Sequence, residues 1–403
     1  MSHGAAEATR FQLVCAAIVI LMTALNLPSI GIPRLENDER IYWSLAENWI
    51  ESRAYSLRGT EILDSLPPAM YDKPLFHHPP LLMFLLIPFA WMDAERAAVV
   101  VSWLGHAAAV AGVAMMSWTW RRPGRRAADF LLWLPVLAMA ADPVFLFAGR
   151  RIWPDTLVGG FGALAVGACA FASGHGRAGW AAAGGVFAAF AGLAKLTGLL
   201  ALPIGILVLA AGARSLRERL VECGLFLLPC VVLVAPWFFV FYREYACLLP
   251  SWIQPDDVLL RSNPHIARAM VRPIGFYFYE LPMVVPVVLV ATVQMAYGLS
   301  RGAIRSFVAP ACWGVGGLIA MTFLQAGHGA HLRFLTPAIP GFYAALAAGP
   351  ALPNSVRRVV GLAATIAMLY GVSSIGFYLV EGIGYDDIVS VPEKLYRAWY
   401  TAQ

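Results

Sequence analysis

Apolar runs of roughly 18–25 residues, the length that spans a bilayer's hydrocarbon core, recur along almost the whole chain. The first covers 11–28. The others cover 96–118, 129–148, 155–173, 178–193, 197–212, 220–242, 273–298, 307–324, 334–350 and 357–380. One long polar stretch, 29–78, follows the first run, and an apolar segment at 79–92 follows that. At about fourteen residues this segment is short for a span. Inside the polar stretch Ile41, Leu45 and Trp49 recur at helical spacing, with Tyr42 and Ala46 beside them. That pattern predicts a short amphipathic helix on the membrane surface, with Asn37 or Asp38 as its cap.

Charge sets the orientation. If 79–92 lies in the interface or re-enters, Arg10 and the clusters Arg121–Arg126, Arg177, Arg214–Arg219, Arg301–Arg305 and Arg357–Arg358 all fall on one side. If 79–92 crosses, Arg10 opposes the rest. The positive-inside rule therefore selects about eleven spans, with the N-terminus cytoplasmic and the C-terminus external. The loop 29–78 is then external, as are 149–154, 194–196, 243–272, 325–333 and the tail from 381. Nothing resembling a small-residue cleavage site follows the first run, so it reads as a retained helix.

Composition agrees. Hydrophobic residues make up 60% of the 403 positions and charged residues 13%, against about 45–50% and roughly 25% in soluble domains. A soluble fold is excluded. The net charge of +5 comes mainly from short inter-helix loops, so it reports topology and no nucleic-acid partner. The six cysteines form no CxxC and no Cys/His cluster, which excludes a disulfide framework and a structural zinc site.

Candidate chemistry gathers at the external ends. Asp38 and Glu39 open the amphipathic helix, where a carboxylate also suits the helix dipole. Asp72, Lys73, His77 and His78 lie against the short apolar segment, and Pro79 and Pro80 set its start. Arg150 and Arg151 precede Trp153, Pro154 and Asp155. Lys195 stands between two apolar runs with almost no loop around it; a cation there either snorkels to the headgroups or has a partner. His328, His331 and Arg333 form the last group. Arginine's planar fork suits phosphate oxygens.

Taken in order, Asp38-Glu39 with Tyr42, Asp72-Lys73-Pro74, His78-Pro79-Pro80, Arg151 through Pro154-Asp155, Lys195 in Ala-Lys-Leu-Thr-Gly, and Arg333 in Arg-Phe-Leu-Thr-Pro-Ala-Ile-Pro resemble a known family. The chain is similar to the GT-C glycosyltransferases, in the group of protein O-mannosyltransferases and the lipid A aminoarabinose transferase. The likeness covers roughly 11–350. It implies an all-α polytopic membrane protein of about eleven transmembrane helices, with juxtamembrane helices in the first external loop. Residues 1–350 would be the catalytic module, with its first external loop at 29–92. Residues 351–403 would add a last span and a short tail, where relatives often carry a soluble external domain.

The resemblance implies a transferase in a bacterial inner membrane. It would move a sugar from a polyprenyl-phosphate donor to a lipid, protein or glycan acceptor on the periplasmic face. Asp38 would be the catalytic base, with inversion, and Glu39 its companion. Tyr42, Lys73, His78, Arg151, Asp155, Lys195, His331 and Arg333 would bind substrate. It fixes no particular cofactor; a divalent metal ion held by Asp155 and His78 is an option. The competing class is a multi-pass transporter or lipid flippase, which places polar groups at the bilayer midplane and often shows internal repeats.

Overall fold

The computed structural model describes residues 37–66, 68–120, 130–149, 151–212, 215–246, 287–324 and 332–348, with isolated positions within 13–20, 277–285 and 353–369. Most of the expected first and last spans, most of the segment between Ala246 and Val287, His331 and the side chain of Asp38 lie outside the described residues.

The first described helix, α1 (Asn37–Ser52), is the amphipathic helix expected from the spacing of its apolar positions. Ile41, Tyr42, Leu45 and Ala46 are buried, while Arg40, Glu47 and Glu51 face outward. The buried face packs on α2 (Leu81–Leu86), which contributes Leu82, Met83 and Leu86. Each fully buried aliphatic side chain here stabilises by roughly 1.5–3 kcal/mol. A turn of 3₁₀ helix, Ile87–Phe89, prolongs α2. The segment 79–92 is therefore short and broken, as its length suggested.

The bundle follows. Asp93 caps α3 (Ala94–Thr119) by accepting from the backbone N–H of Arg96 at 2.8 Å. The run 129–148 becomes two helices, α4 (Phe130–Ala140) and α5 (Pro143–Ala148), because Asp142-Pro143 interrupts it. Then come α6 (Asp155–His175), α7 (Ala178–Ala194), a 3₁₀ stretch Leu196–Leu200, α8 (Ala201–Ala210) and α9 (Leu216–Tyr245). Gly176, at φ 73°, ends α6, a left-handed position that glycine occupies without steric cost. Ser215 and Glu218 form a reciprocal capping box at the start of α9.

The last part holds α10 (Val287–Ser300), α11 (Ile304–Ala311), a π-helical turn Cys312–Gly316, α12 (Gly317–Leu324), a 3₁₀ turn Leu332–Leu335 and α13 (Ile339–Ala347). The described residues form helices and turns, with no strand. Three helices among them are long and apolar enough to cross a membrane on their own: 96–119, Asp155–His175 and Leu216–Tyr245.

Helices α3 and α6 make the most extensive contact, and α6 packs in turn on α7 and α7 on α9. Small residues let α3 and α6 touch backbone to backbone. A Cβ on Gly160 would stand 1.8 Å from the carbonyl oxygen of Gly105, and one on Gly105 would stand 2.5 Å from the carbonyl carbon of Thr156. Such contact replaces the hydrophobic drive that is missing between helices in lipid.

The alternation of helices sorts the polar residues. Asp93, Asp155, Lys195, Tyr245 and Arg333 fall at one end of the bundle, and Arg177, Arg219 and Arg301 at the other. The helix α1 and the loop that follows it sit at the first end, fastened to Tyr245 at the close of α9.

Candidate active site

Helix α1 supplies the first two side chains. Glu39 and Tyr42 are three residues apart and so share one face. Glu39 is fully buried. Its Oε2 accepts from Arg151 Nη1 at 3.0 Å and its Oε1 from the backbone N–H of Ile152 at 3.3 Å. Ser102 on α3 donates its hydroxyl to the Arg151 carbonyl at 2.5 Å. Together these bonds fix the short connection from α5 to α6. Glu39 is thus built into the wall of the site and holds Arg151.

Tyr42 reaches the loop. Its Oη and His78 Nδ1 share a hydrogen bond of 2.5 Å. The backbone around His78 is pinned from three sides. Tyr55 donates to the carbonyls of His78 and Pro79 at 3.0 and 3.2 Å. The Phe76 N–H donates to the Tyr55 carbonyl at 2.7 Å. Tyr245 accepts from the Leu75 N–H at 3.2 Å and donates to the Leu75 carbonyl. Tyr55 itself is buried between Phe76 and Trp237, and burial raises its phenol pKa.

His78 is held neutral. Burial, then the charges of His77, Lys195 and Arg333, push its pKa well below the ordinary histidine value. Burial alone lowers His77 from 6.5 to about 4.

Lys195 stands in extended conformation where α7 gives way to 3₁₀ helix. Its Nζ lies 3.3 Å from Asp155 Oδ1 at the start of α6, with the two side chains 19% and 4% exposed. Asp155 opens α6, where a carboxylate suits the helix dipole, and it also binds this cation.

Aromatic rings link the cations. Lys195 Nζ lies 4.4 Å from the Phe334 ring centre. Arg333 Cζ lies 5.1 Å from the same ring and 4.1 Å from Trp153. Arg151 Cζ lies 5.4 Å from Trp153. The result is a continuous row, Arg151–Trp153–Arg333–Phe334–Lys195, in which each cation meets an aromatic face. The described row thus gathers three cations with two of the carboxylates that meet them, Glu39 on Arg151 and Asp155 on Lys195.

The structure therefore brings Glu39, Tyr42, His78, Arg151, Asp155, Lys195 and Arg333 together at one end of the bundle. Asp38 occupies the second residue of α1, one turn before Tyr42. Lys73 is apart: its carbonyl accepts from Ser56 Oγ at 2.5 Å, beside the exposed Arg58–Asp72 ion pair. Among the described residues no ion pair involves its ammonium. For a metal, Asp155 and His78 suit poorly. Asp155 is committed to Lys195, His78 faces two cations, and no group of three His, Cys, Asp or Glu side chains converges among the described residues.

Two site residues escape a reading based on charge: Trp153 and Phe334. Each stands within two positions of an arginine, in Arg-Ile-Trp and Arg-Phe. That adjacency is the signal that could have marked them.

No family model matches this chain, and no curated protein matches it in sequence. Solved structures do resemble it. ArnT from Cupriavidus metallidurans bound to undecaprenyl phosphate superimposes with a TM-score of 0.61 at 15% identity, over 91% of this chain and 77% of that one. The same protein in its apo state gives 0.61 and 15%, over 96% and 78%. The archaeal oligosaccharyltransferase AglB from Archaeoglobus fulgidus, in complex with an inhibitory peptide and a dolichol-phosphate, gives 0.54 and 15%, over 96% and 59%. With its helical bundle and the juxtaposed loop at one end, this chain has the fold of the GT-C membrane glycosyltransferases.

Proposed function

We propose that the chain is a membrane glycosyltransferase that takes a sugar from a polyprenyl-phosphate donor and transfers it to an acceptor on the external face. One observation carries this reading. Lys195 and Arg333 share the Phe334 ring at the end of the bundle where α1 and the Tyr42–His78 pair also sit, and there they would form an anion site. The ligands of the two structural neighbours, undecaprenyl phosphate and a dolichol-phosphate, support a lipid-phosphate donor.

In this reading the acceptor's hydroxyl or amine loses its proton to the Asp38 carboxylate as its oxygen or nitrogen bonds to the anomeric carbon. The bond from that carbon to the phosphate oxygen breaks, and the polyprenyl phosphate leaves with the electron pair. The anomeric centre inverts. Charge grows on the leaving phosphate, and Lys195 and Arg333 stabilise it by charge-assisted bonds in a partly dry site. Asp155 orients Lys195, and Glu39 holds Arg151 and the wall at Ile152. The lipid of the donor lies along the groove by α2. The wider frame has about eleven spans: N-terminus cytoplasmic, a bacterial inner-membrane location, and the catalytic module within 1–350.

Transport is the second reading. It draws on polar side chains buried within the bundle, His106, Asp142 and Glu222, since spans of a transporter carry such groups. Purified protein incubated with a panel of polyprenyl-phosphate sugars separates the two. Transferase activity consumes a donor and yields free polyprenyl phosphate; Asp38→Asn inserts normally and yields none. Full transfer by Asp38→Asn removes Asp38 as base, and a wild type that consumes no donor favours transport.

A further inference from the structure

Part of the row of cations stands on a segment that buried bonds fasten to neighbouring helices. Arg333 and Phe334 lie on the 3₁₀ turn Leu332–Leu335, which runs through 336–338 into α13. Two buried bonds anchor this run. Trp313 Nε1, on the π-helical turn, donates to the Pro337 carbonyl at 2.7 Å. Tyr343 Oη donates to Asp142 Oδ2 at 2.7 Å. Both Asp142 and Tyr343 are essentially without exposure, at 0% and 1%.

The second bond has an unusual address. Asp142 sits at the break between α4 and α5, where its Oδ1 also accepts from the Phe145 N–H at 2.9 Å and so caps α5. From α5 the chain runs directly to Arg151 and Trp153. Tyr343 thus ties the carrier of Arg333 and Phe334 to the carrier of Arg151 and Trp153. These are the two carriers whose rings and guanidinium groups interleave above. A carboxylate so deep in an apolar bundle is costly and is expected to have a purpose. An apolar pair would have filled the same space more cheaply. Gln294 Nε2 on α10 also donates to the Ala345 carbonyl at 2.7 Å, and Gly341 packs against Gly314. Those contacts tie α13 to α10 and to the π-helical turn, whereas the Tyr343–Asp142 bond ties it to the break between α4 and α5.

We propose that Tyr343, acting through Asp142, is a positioning residue: it sets where Arg333 stands over Trp153 and thereby the grip of the site on the donor's phosphate. The proposal rests on the reading of the cation row as a phosphate site. Tyr343 touches no substrate; its effect reaches the anion only through Arg333.

The test uses the full chain in detergent micelles, with polyprenyl phosphate alone as the probe and sugar transfer measured in parallel. Tyr343→Phe removes the donor and keeps the ring. It should weaken polyprenyl phosphate binding about tenfold, ~1.4 kcal/mol, and lower kcat/KM for the donor by at least as much, because Arg333 also meets the charge that grows on the leaving phosphate. Asp142→Asn can still bond Tyr343, with its amide donating to Oη, and should bind close to wild type. The deciding comparison is a cycle with Arg333→Ala. If Tyr343 works through Arg333, adding Tyr343→Phe to Arg333→Ala weakens binding no further. Independent, multiplying losses would overturn the proposal and leave Tyr343 a general stabiliser. Wild-type affinity in Tyr343→Phe would overturn it as well. A wild type that binds no polyprenyl phosphate would remove the phosphate reading itself, and this proposal with it.

Discussion

Replacing Lys195 with methionine separates what the ion pair does for the fold from what it does for a ligand. Methionine keeps the length and apolar stem and removes the charge. Asp155 is left with 4% exposure and without this cation. At 3.3 Å and an effective dielectric of about 20, the lost attraction is roughly 5 kcal/mol before desolvation is counted. Removing one partner of a buried pair costs about 3–5 kcal/mol in practice. The contact with Phe334 adds about 0.5–2 kcal/mol. A loss of about 3–5 kcal/mol is therefore expected in Lys195→Met. Adding Asp155→Asn removes the stranded carboxylate, so the double variant should recover most of that loss. Ligand binding should not recover, because the cation is still missing. The assay is thermal unfolding in detergent for all three variants, together with polyprenyl phosphate titration of the folded ones. If the double variant is stable and binds polyprenyl phosphate like wild type, Lys195 is a structural cation only and the anion site must be drawn without it.

Two further outcomes follow from the same geometry. Glu39→Ala should remove a buried partner of Arg151 together with the acceptor of the Ile152 N–H, and destabilise by about 3–5 kcal/mol. Glu39→Gln, which keeps an acceptor for the Ile152 N–H or Arg151, should fold and retain measurable transfer; a folded but wholly inactive Glu39→Gln would make Glu39 catalytic. His77 gives a pH signature. Its pKa falls from 6.5 unfolded to about 4 folded, so between those values the unfolded chain binds the extra proton. Stability is then full above about pH 6.5 and declines toward pH 4 by about 3 kcal/mol. Unfolding measured against pH should flatten over that window in His77→Gln, and an unchanged slope would refute the assignment.

Much of the fold was legible because its signals are local. The 3.6-residue spacing of Ile41, Leu45 and Trp49 announced α1, and the buried face of that helix is the one expected. The apolar runs at 155–173 and 178–193 became α6 and α7 within two residues. Other runs misled for stated reasons. The run 129–148 is broken at Asp142, where a buried carboxylate caps a new helix, and hydropathy averages over a single residue of that kind. The run 307–324 contains a π-helical turn at Cys312–Gly316 that makes room for Gly341 against Gly314. That constraint lies in a partner almost thirty residues away, so no window on the run itself could reveal it.

The site was legible in kind but not in wiring. Its charges stood out because cations and carboxylates at helix ends are rare in so apolar a chain. Which charge meets which is a property of how the helices cross. Asp155 and Lys195 are forty positions apart, and Glu39 and Arg151 one hundred and twelve. The wiring also changes the meaning of the parts. Asp38 and Glu39 are neighbours in sequence and equal candidates by composition. One helical step turns successive side chains through about 100°, so two adjacent carboxylates on α1 cannot both point the same way. Glu39 is turned into the wall, where Arg151 and the Ile152 N–H take both its oxygens. A base must reach the acceptor's proton, and a fully buried carboxylate whose two oxygens already accept from a guanidinium and an amide is turned toward the protein instead. The buried geometry of Glu39 thus argues for Asp38 by elimination within the pair, and gives Glu39 a separate duty: it keeps Arg151 against Trp153, and so supports one end of the row on which Arg333 rests.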